Sequence, residues 1–228
     1  QTSSVTLAVG DVKSCTITNE DIAPQLTLVK VVTNDNGGTA VESDWTLTAT
    51  GPTGFSGLGP SVNNGASFDA GTYDLSESGP SGYSASAWVC VGGTQNDGDT
   101  ITLGLGESAT CTISNDDQPA HLIVIKHVVN DNGSTKTAAD FSMTIGGVTV
   151  TGGNTFAGAE SPGTNKVLTT VGAYTVTEGA VTGYTQTSAS SDCSGTIALG
   201  ETKTCTITND DKLVVISNEN SEDVSQNS

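Results

Sequence analysis

The chain has 228 residues and a formal net charge of −18, from 25 acidic residues set against seven basic ones, all of them lysine. A chain so poor in cations builds no basic patch, which argues against nucleic acid as a partner. No apolar run approaches the length of a membrane span. With only ten aromatic residues (two Trp, four Tyr, four Phe), any core must rest on small and β-branched side chains, and covalent staples would matter more than usual.

Taken in chain order, residues 1–22 read as two late strands, Val5–Val9 and Lys13–Asn19, around a Gly10-Asp11 turn. A first strand follows at Leu26-Thr27-Leu28-Val29-Lys30-Val31-Val32, then Asn34-Asp35-Asn36-Gly37. A middle strand, Tyr73-Asp74-Leu75-Ser76-Glu77, leads to Gly82-Tyr83. The segment ends in Thr110-Cys111-Thr112-Ile113-Ser114-Asn115-Asp116-Asp117 after a Gly106-Glu107 turn. The series then recurs. Leu122–Val129 precedes Asn130-Asp131-Asn132-Gly133, Tyr174–Glu178 leads to Gly183-Tyr184, and Thr204-Cys205-Thr206-Ile207-Thr208-Asn209-Asp210-Asp211 closes the copy.

The spacing from Lys30 to Lys126 is 96 residues, the size of a whole domain and far longer than a solenoid repeat. Two complete repeats are expected, 25–117 and 119–211. Residues 1–22 match the end of an upstream repeat, and 212–228 hold a strand-like start, Leu213–Ile216, followed by a polar tail. Short runs of Val, Ile, Thr, Leu and Tyr separated by Gly, Asn, Asp and Pro, with no 3.6-residue period, predict an all-β protein of tandem immunoglobulin-like or prealbumin-like β-sandwich domains.

Alternation along a strand places same-parity residues on one face. Leu26, Leu28 and Lys30 share a face, as do Tyr73, Leu75 and Glu77, and Cys111, Ile113 and Asn115. The second copy aligns Leu122, Val124 and Lys126; Tyr174, Val176 and Glu178; and Cys205, Ile207 and Asn209. Each domain is therefore expected to turn one Lys, one Glu and one Asn inward. Burial of such charges is costly unless they pair or neutralise. A desolvated lysine becomes a competent neutral amine, and a buried glutamate holds a proton more tightly. An amine beside a carboxamide can attack its carbonyl carbon while the glutamate moves protons. The product is an isopeptide bond and one ammonia, in a single-turnover self-reaction rather than enzyme catalysis.

At these residues the chain resembles the collagen-adhesin B-type repeats, also called SpaA-like prealbumin-fold domains, of bacterial surface proteins and pili. The Tyr-x-Leu-x-Glu…Gly-Tyr pattern is similar to that family's E-box. The resemblance implies Lys30–Asn115 bonds assisted by Glu77 and Lys126–Asn209 bonds assisted by Glu178, in mechanical stalks, adhesins or pilins. The cysteines depart from many isopeptide-bonded members. Cys90 with Cys111 and Cys193 with Cys205 look like a second staple on the last strand, which leaves Cys15 unpaired here. With disulfides present, the alternative for each triad is a buried Lys–Glu ion pair with Asn hydrogen-bonded nearby. Disulfides imply an oxidising, extracellular or cell-surface setting.

Weaker signals complete the reading. The Asn-Asp-Asn-Gly loops and the acidic strand ends suggest calcium, with Asp35, Asp131, Asp116 and Asp117 as candidates, but a hairpin turn is the preferred explanation. Otherwise no cofactor is expected. Asn132-Gly133-Ser134 matches a glycosylation acceptor. No secretory leader or anchor is legible, so a mature or excised segment is expected. The favoured function is a structural stalk, fibre or filament whose partners are copies of itself or neighbouring repeats. The rival is an adhesin recognising carbohydrate or a host or cell-surface protein.

Overall fold

The computed structural model describes residues 4–213. Residues 25–117 form one sandwich. Its strands are β1 (Gln25–Thr33), β2 (Thr46–Thr50), β3 (Phe55–Leu58), β4 (Ser61–Asn63), β5 (Gly71–Ser78), β6 (Tyr83–Ala85), β7 (Val89–Val91), β8 (Thr94–Gln95), β9 (Thr100–Leu103) and β10 (Ser108–Asp117). One sheet runs β4-β1-β10-β6, with β7 also on β10; the facing sheet runs β3-β2-β5-β9-β8.

The second sandwich repeats the plan with β11 (His121–Val129), β12 (Ser142–Gly146), β13 (Thr155–Ala157), β14 (Thr164–Val167), β15 (Gly172–Glu178), β16 (Tyr184–Ala189), β17 (Ser194–Ile197) and β18 (Thr202–Asp211). Its sheets run β14-β11-β18-β16 and β13-β12-β15-β17. Among the described residues, no helix is long and apolar enough to cross a membrane.

The first and last strands of each domain lie side by side and parallel. Leu28 pairs with Cys111 and Val32 with Asn115 in β1–β10, while Val124 pairs with Cys205 and Val128 with Asn209 in β11–β18. Parallel neighbours need a long crossover, and here the crossover is the rest of the domain. Because β1 and β10 share a sheet with like registers, their inward residues point together at β5 across the core. Leu26, Leu28, Leu47, Tyr73, Ile101, Leu103 and Cys111 are nearly solvent-free there. Each such Leu or Ile stabilises by about 1.5–3 kcal/mol.

Two expectations change. The Asn-Asp-Asn-Gly segments are not hairpin turns: β1 pairs with β10 and β4, whereas β2 pairs with β3 and β5, so each loop carries the chain from one sheet to the other. Second, the strands read at Val5–Val9 and Lys13–Asn19 are absent; residues 4–24 hold a turn at Val9-Gly10 and no strand. The reason lies in the domain plan. The matching strands β9 and β10 sit in opposite sheets and share no ladder, so an isolated pair has no backbone partner in itself. The strand read at Leu213–Ile216 lies outside the described residues from 214 onward.

Candidate functional site: a buried lysine, glutamate and asparagine in each domain

Lys30, Asn115, Lys126 and Asn209 are buried among apolar side chains, and Glu77 and Glu178 reach them from the facing sheet. In the first domain Lys30 Nζ donates to Glu77 Oε2 at 2.5 Å, and the buried Asn115 Oδ1 has no hydrogen-bond partner. In the second, Lys126 Nζ donates to Asn209 Oδ1 at 2.9 Å and to the carbonyls of His127 and Ile207 at 3.0 and 3.2 Å. Glu178 spans the pair: Oε1 accepts from Asn209 Nδ2 at 2.6 Å, and Oε2 lies 3.4 Å from Lys126 Nζ.

Burial pushes both lysines below the ordinary amine range, against the opposing pull of Glu77 on Lys30 and of Glu178 on Lys126. Desolvation therefore favours the neutral, nucleophilic amine. The second site has the parts for amide exchange. The Lys126 amine would attack Asn209 Cγ, the Cγ–Nδ2 bond would break, and Glu178, touching both nitrogens, would carry the proton from the amine to the departing ammonia.

The sequence reading passed over the aromatic walls. Lys30 Nζ sits 4.8 Å from the Trp45 ring centroid and Lys126 Nζ 4.4 Å from that of Phe141. Tyr83 meets Trp45 edge-on at 5.1 Å, and Tyr184 meets Phe141 at 5.4 Å. The signal was present, since Trp45 and Phe141 stand 96 residues apart, the same interval as the lysines. Glycine permits close approach at each site: a Cβ on Gly59 would stand 3.1 Å from Lys30 Cβ, and one on Gly158 would stand 2.8 Å from Lys126 Cβ.

The two staples form as read. Cys90 on β7 is bonded to Cys111, its cross-strand partner on β10, and Cys193 to Cys205 on β18; Cys15 is free and exposed.

The acidic strand ends turn out to be anchors. Asp117 accepts backbone N–H groups from Asp35 (2.9 Å), Asn36 (2.9 and 3.0 Å) and Gly38 (2.6 Å). Asp211 does the same for Asp131 (3.0 Å), Asn132 (2.9 Å) and Ser134 (2.8 Å). Desolvation raises each carboxyl, but these donors outweigh it and hold both below the usual range. The calcium candidates do converge: oxygens of Asp35, Asp116 and Asp117 lie within 4.8 Å of one another, as do those of Asp131, Asp210 and Asp211. Both oxygens of Asp117 and of Asp211, however, already accept backbone N–H groups. The Asn132 side chain is likewise engaged, donating to the Asp211 carbonyl at 2.9 Å.

A family model described as a prealbumin-like fold domain matches residues 21–113 and again 117–212. No curated protein matches. Among solved structures, the Bacillus anthracis TIE protein superposes with a TM-score of 0.51 at 17% identity over 84% of this chain. The chain spans about a third of that protein's length, 34%. A C-terminal fragment of the pilus adhesin SpaC from Lactobacillus rhamnosus GG gives 0.40 at 15% identity, covering 87% of this chain and 100% of that one. The major pilin T-13 of Streptococcus pyogenes gives 0.35 at 14%, covering 86% and 98%. With the family model covering most of the sequence in two successive matches, the chain belongs to the SpaA-type prealbumin-like fold domain family, as two tandem copies.

Proposed function

We propose that this chain is a load-bearing segment of an extracellular stalk or fibre on a microbial surface, each sandwich being closed by a self-made Lys–Asn isopeptide bond and by a disulfide. The observation that carries this reading is the second site, where Lys126, Glu178 and Asn209 are in mutual contact inside the core. The topology supports it. Tension along a tandem array enters a domain at its first strand and leaves at its last, and those strands are the ones the bond would join. A Lys30–Asn115 link would shield the 84 residues between them (31 to 114) from extension. The aromatic rings nearest the site pack over the lysines instead of lining an exposed groove, which favours a stalk over an adhesive module.

The direct test is peptide mapping of the oxidised chain. A cross-linked peptide joining Lys126 to Asn209, one ammonia lighter than its two parts, is expected, and it should vanish in Glu178→Ala. Recovery of both peptides unlinked from the wild-type chain would leave only the ion pair and the disulfide.

A further inference from the structure

Residues 4–21 reproduce, at a constant offset of 96, the arch that closes the first domain. Val5, Leu7, Cys15, Ile17, Asn19 and Asp21 stand where Ile101, Leu103, Cys111, Ile113, Asn115 and Asp117 stand. The turn of the arch is already folded. Asp11 N donates to the Ala8 carbonyl at 3.1 Å and Ala8 N to Asp11 Oδ2 at 3.0 Å. The equivalent bonds in the first domain are Glu107 N to the Gly104 carbonyl at 3.2 Å and Gly104 N to Glu107 Oε2 at 2.8 Å. Yet the faces that are core elsewhere are bare. Leu7 is 61% exposed against 1% for Leu103, and Ile17 is 86% exposed against 3% for Ile113.

The downstream half of the junction is also in place. Gly106 N donates to the Ile22 carbonyl at 2.7 Å, as Gly200 N does to the Gln118 carbonyl at 3.0 Å. Four residue steps lead from Asp21 to Gln25, and four from Asp117 to His121. The upstream half differs. Gln118 N donates to the Gly82 carbonyl of its own sandwich at 2.8 Å, whereas Ile22 N, among the described residues, has no such acceptor.

We propose that residues 4–21 are a docking element for an open sandwich of this same type, carried ahead of them on the same polypeptide. Its chemistry is specified by what the arch lacks. It must offer two sheets with a vacant strand position in each, a cysteine opposite Cys15, a first strand bearing a lysine that faces Asn19, and a loop of N–H donors for Asp21. A second copy of the described domains cannot serve, because both already hold their own arch. Docking would bury Val5, Leu7 and Ile17 and give each strand of the arch ladder partners on either side. The Cys15 disulfide would form by loss of two protons and two electrons to a small-molecule disulfide such as oxidised glutathione. The Asn19 link alone rests on the self-coupling reading above; burial and the disulfide do not.

The test supplies the open sandwich. Residues 25–99, the first domain without its arch, are placed directly before Ser4 of the otherwise complete chain. The control places the closed domain, residues 25–117, there instead. In a glutathione redox buffer, the open fusion should bond Cys15 to the added copy's Cys90. It should also slow amide exchange at residues 5–7 and 15–19 by roughly 100-fold or more relative to the control. Ile17→Asp in the open fusion should abolish that protection while residues 25–117 and 119–211 of the original chain keep theirs. Equal exchange at residues 4–21 in both fusions, with Cys15 still open to maleimide, overturns the proposal. Protection without loss of ammonia at Asn19 would count against self-coupling and leave the docking intact.

Discussion

The two domains carry the same three side chains at equivalent strand positions, and they hold them differently. In the second, the lysine, the amide and the glutamate are in mutual contact, with Glu178 touching both the amine and the amide nitrogen. In the first, Lys30 is committed to Glu77 and the Asn115 oxygen stands alone. Each site leaves one buried acceptor without a hydrogen bond, Asn115 Oδ1 in the first and Glu178 Oε2 in the second, at a cost of about 1–3 kcal/mol, so the two differ in which groups are paired. Equivalent sequence thus fixes which groups meet but not which pairing they adopt. The second arrangement stands a short step before amide exchange, whereas the first must release its ion pair. On refolding, Asn209 is expected to lose its ammonia before Asn115 does, which time-resolved peptide mapping would read directly.

The largest effects should come from removing one member of a buried pair. Lys126→Met or Lys30→Met leaves an uncompensated glutamate in the core and should cost about 3–5 kcal/mol, seen as a lowered denaturant midpoint for that domain alone. Breaking a staple comes next. Cys90→Ser with Cys111→Ser, and Cys193→Ser with Cys205→Ser, should each cost roughly 3 kcal/mol, because chain-entropy differences between loops spanning 21 and 12 positions are small. A much larger loss in one domain would show that its disulfide compensates for a missing isopeptide.

Smaller effects follow at the supporting residues. Gly158→Ala forces a methyl to within 2.6 Å of the Ala138 carbonyl and against Lys126, a strain of about 1–3 kcal/mol that should also slow coupling in the second domain. Acid should loosen the loop anchors. The carboxyls of Asp117 and Asp211 are depressed in the folded state, so their contribution is present above the unfolded value near ~3.9 and fades as pH falls through the folded one. Protection of the Asn36 and Asn132 amides against exchange, taken relative to the free-chain rate at the same pH, should therefore fall on acidification, and Asp211→Asn should remove that pH dependence of protection in the second loop only.

The lysines act in the same sense at higher pH. Their folded values are lowered, so the unfolded chain binds more protons between that value and about 10.4, and the stability of an uncoupled domain should rise with pH across that window.

Much of this architecture was legible because a strand's side chains repeat every two residues. That periodicity alone put Lys30, Glu77 and Asn115 on inward faces, and the 96-residue interval transferred the assignment to Lys126, Glu178 and Asn209. The parallel pairing of first and last strands was not legible, since nothing local in Leu26–Lys30 reports a neighbour 83 residues away. The Asn-Asp-Asn-Gly loops misled for a related reason. Their composition suits a tight turn, but what shapes them is Asp117 or Asp211, a residue distant in sequence whose carboxylate gathers their N–H groups. Residues 4–22 show the converse. Their alternation is that of true strands, but the sheets that would make them so are not among the described residues.

The central claim is most directly tested by the intact mass of the oxidised chain, measured before any proteolysis. A closed bond in each domain predicts a mass below that of the sequence by two ammonia molecules, in addition to the hydrogens lost to two disulfides, and Glu77→Ala and Glu178→Ala should each restore one ammonia. A mass lowered by the disulfide hydrogens alone would contradict the self-coupled stalk and leave both lysines as buried ion-pair partners.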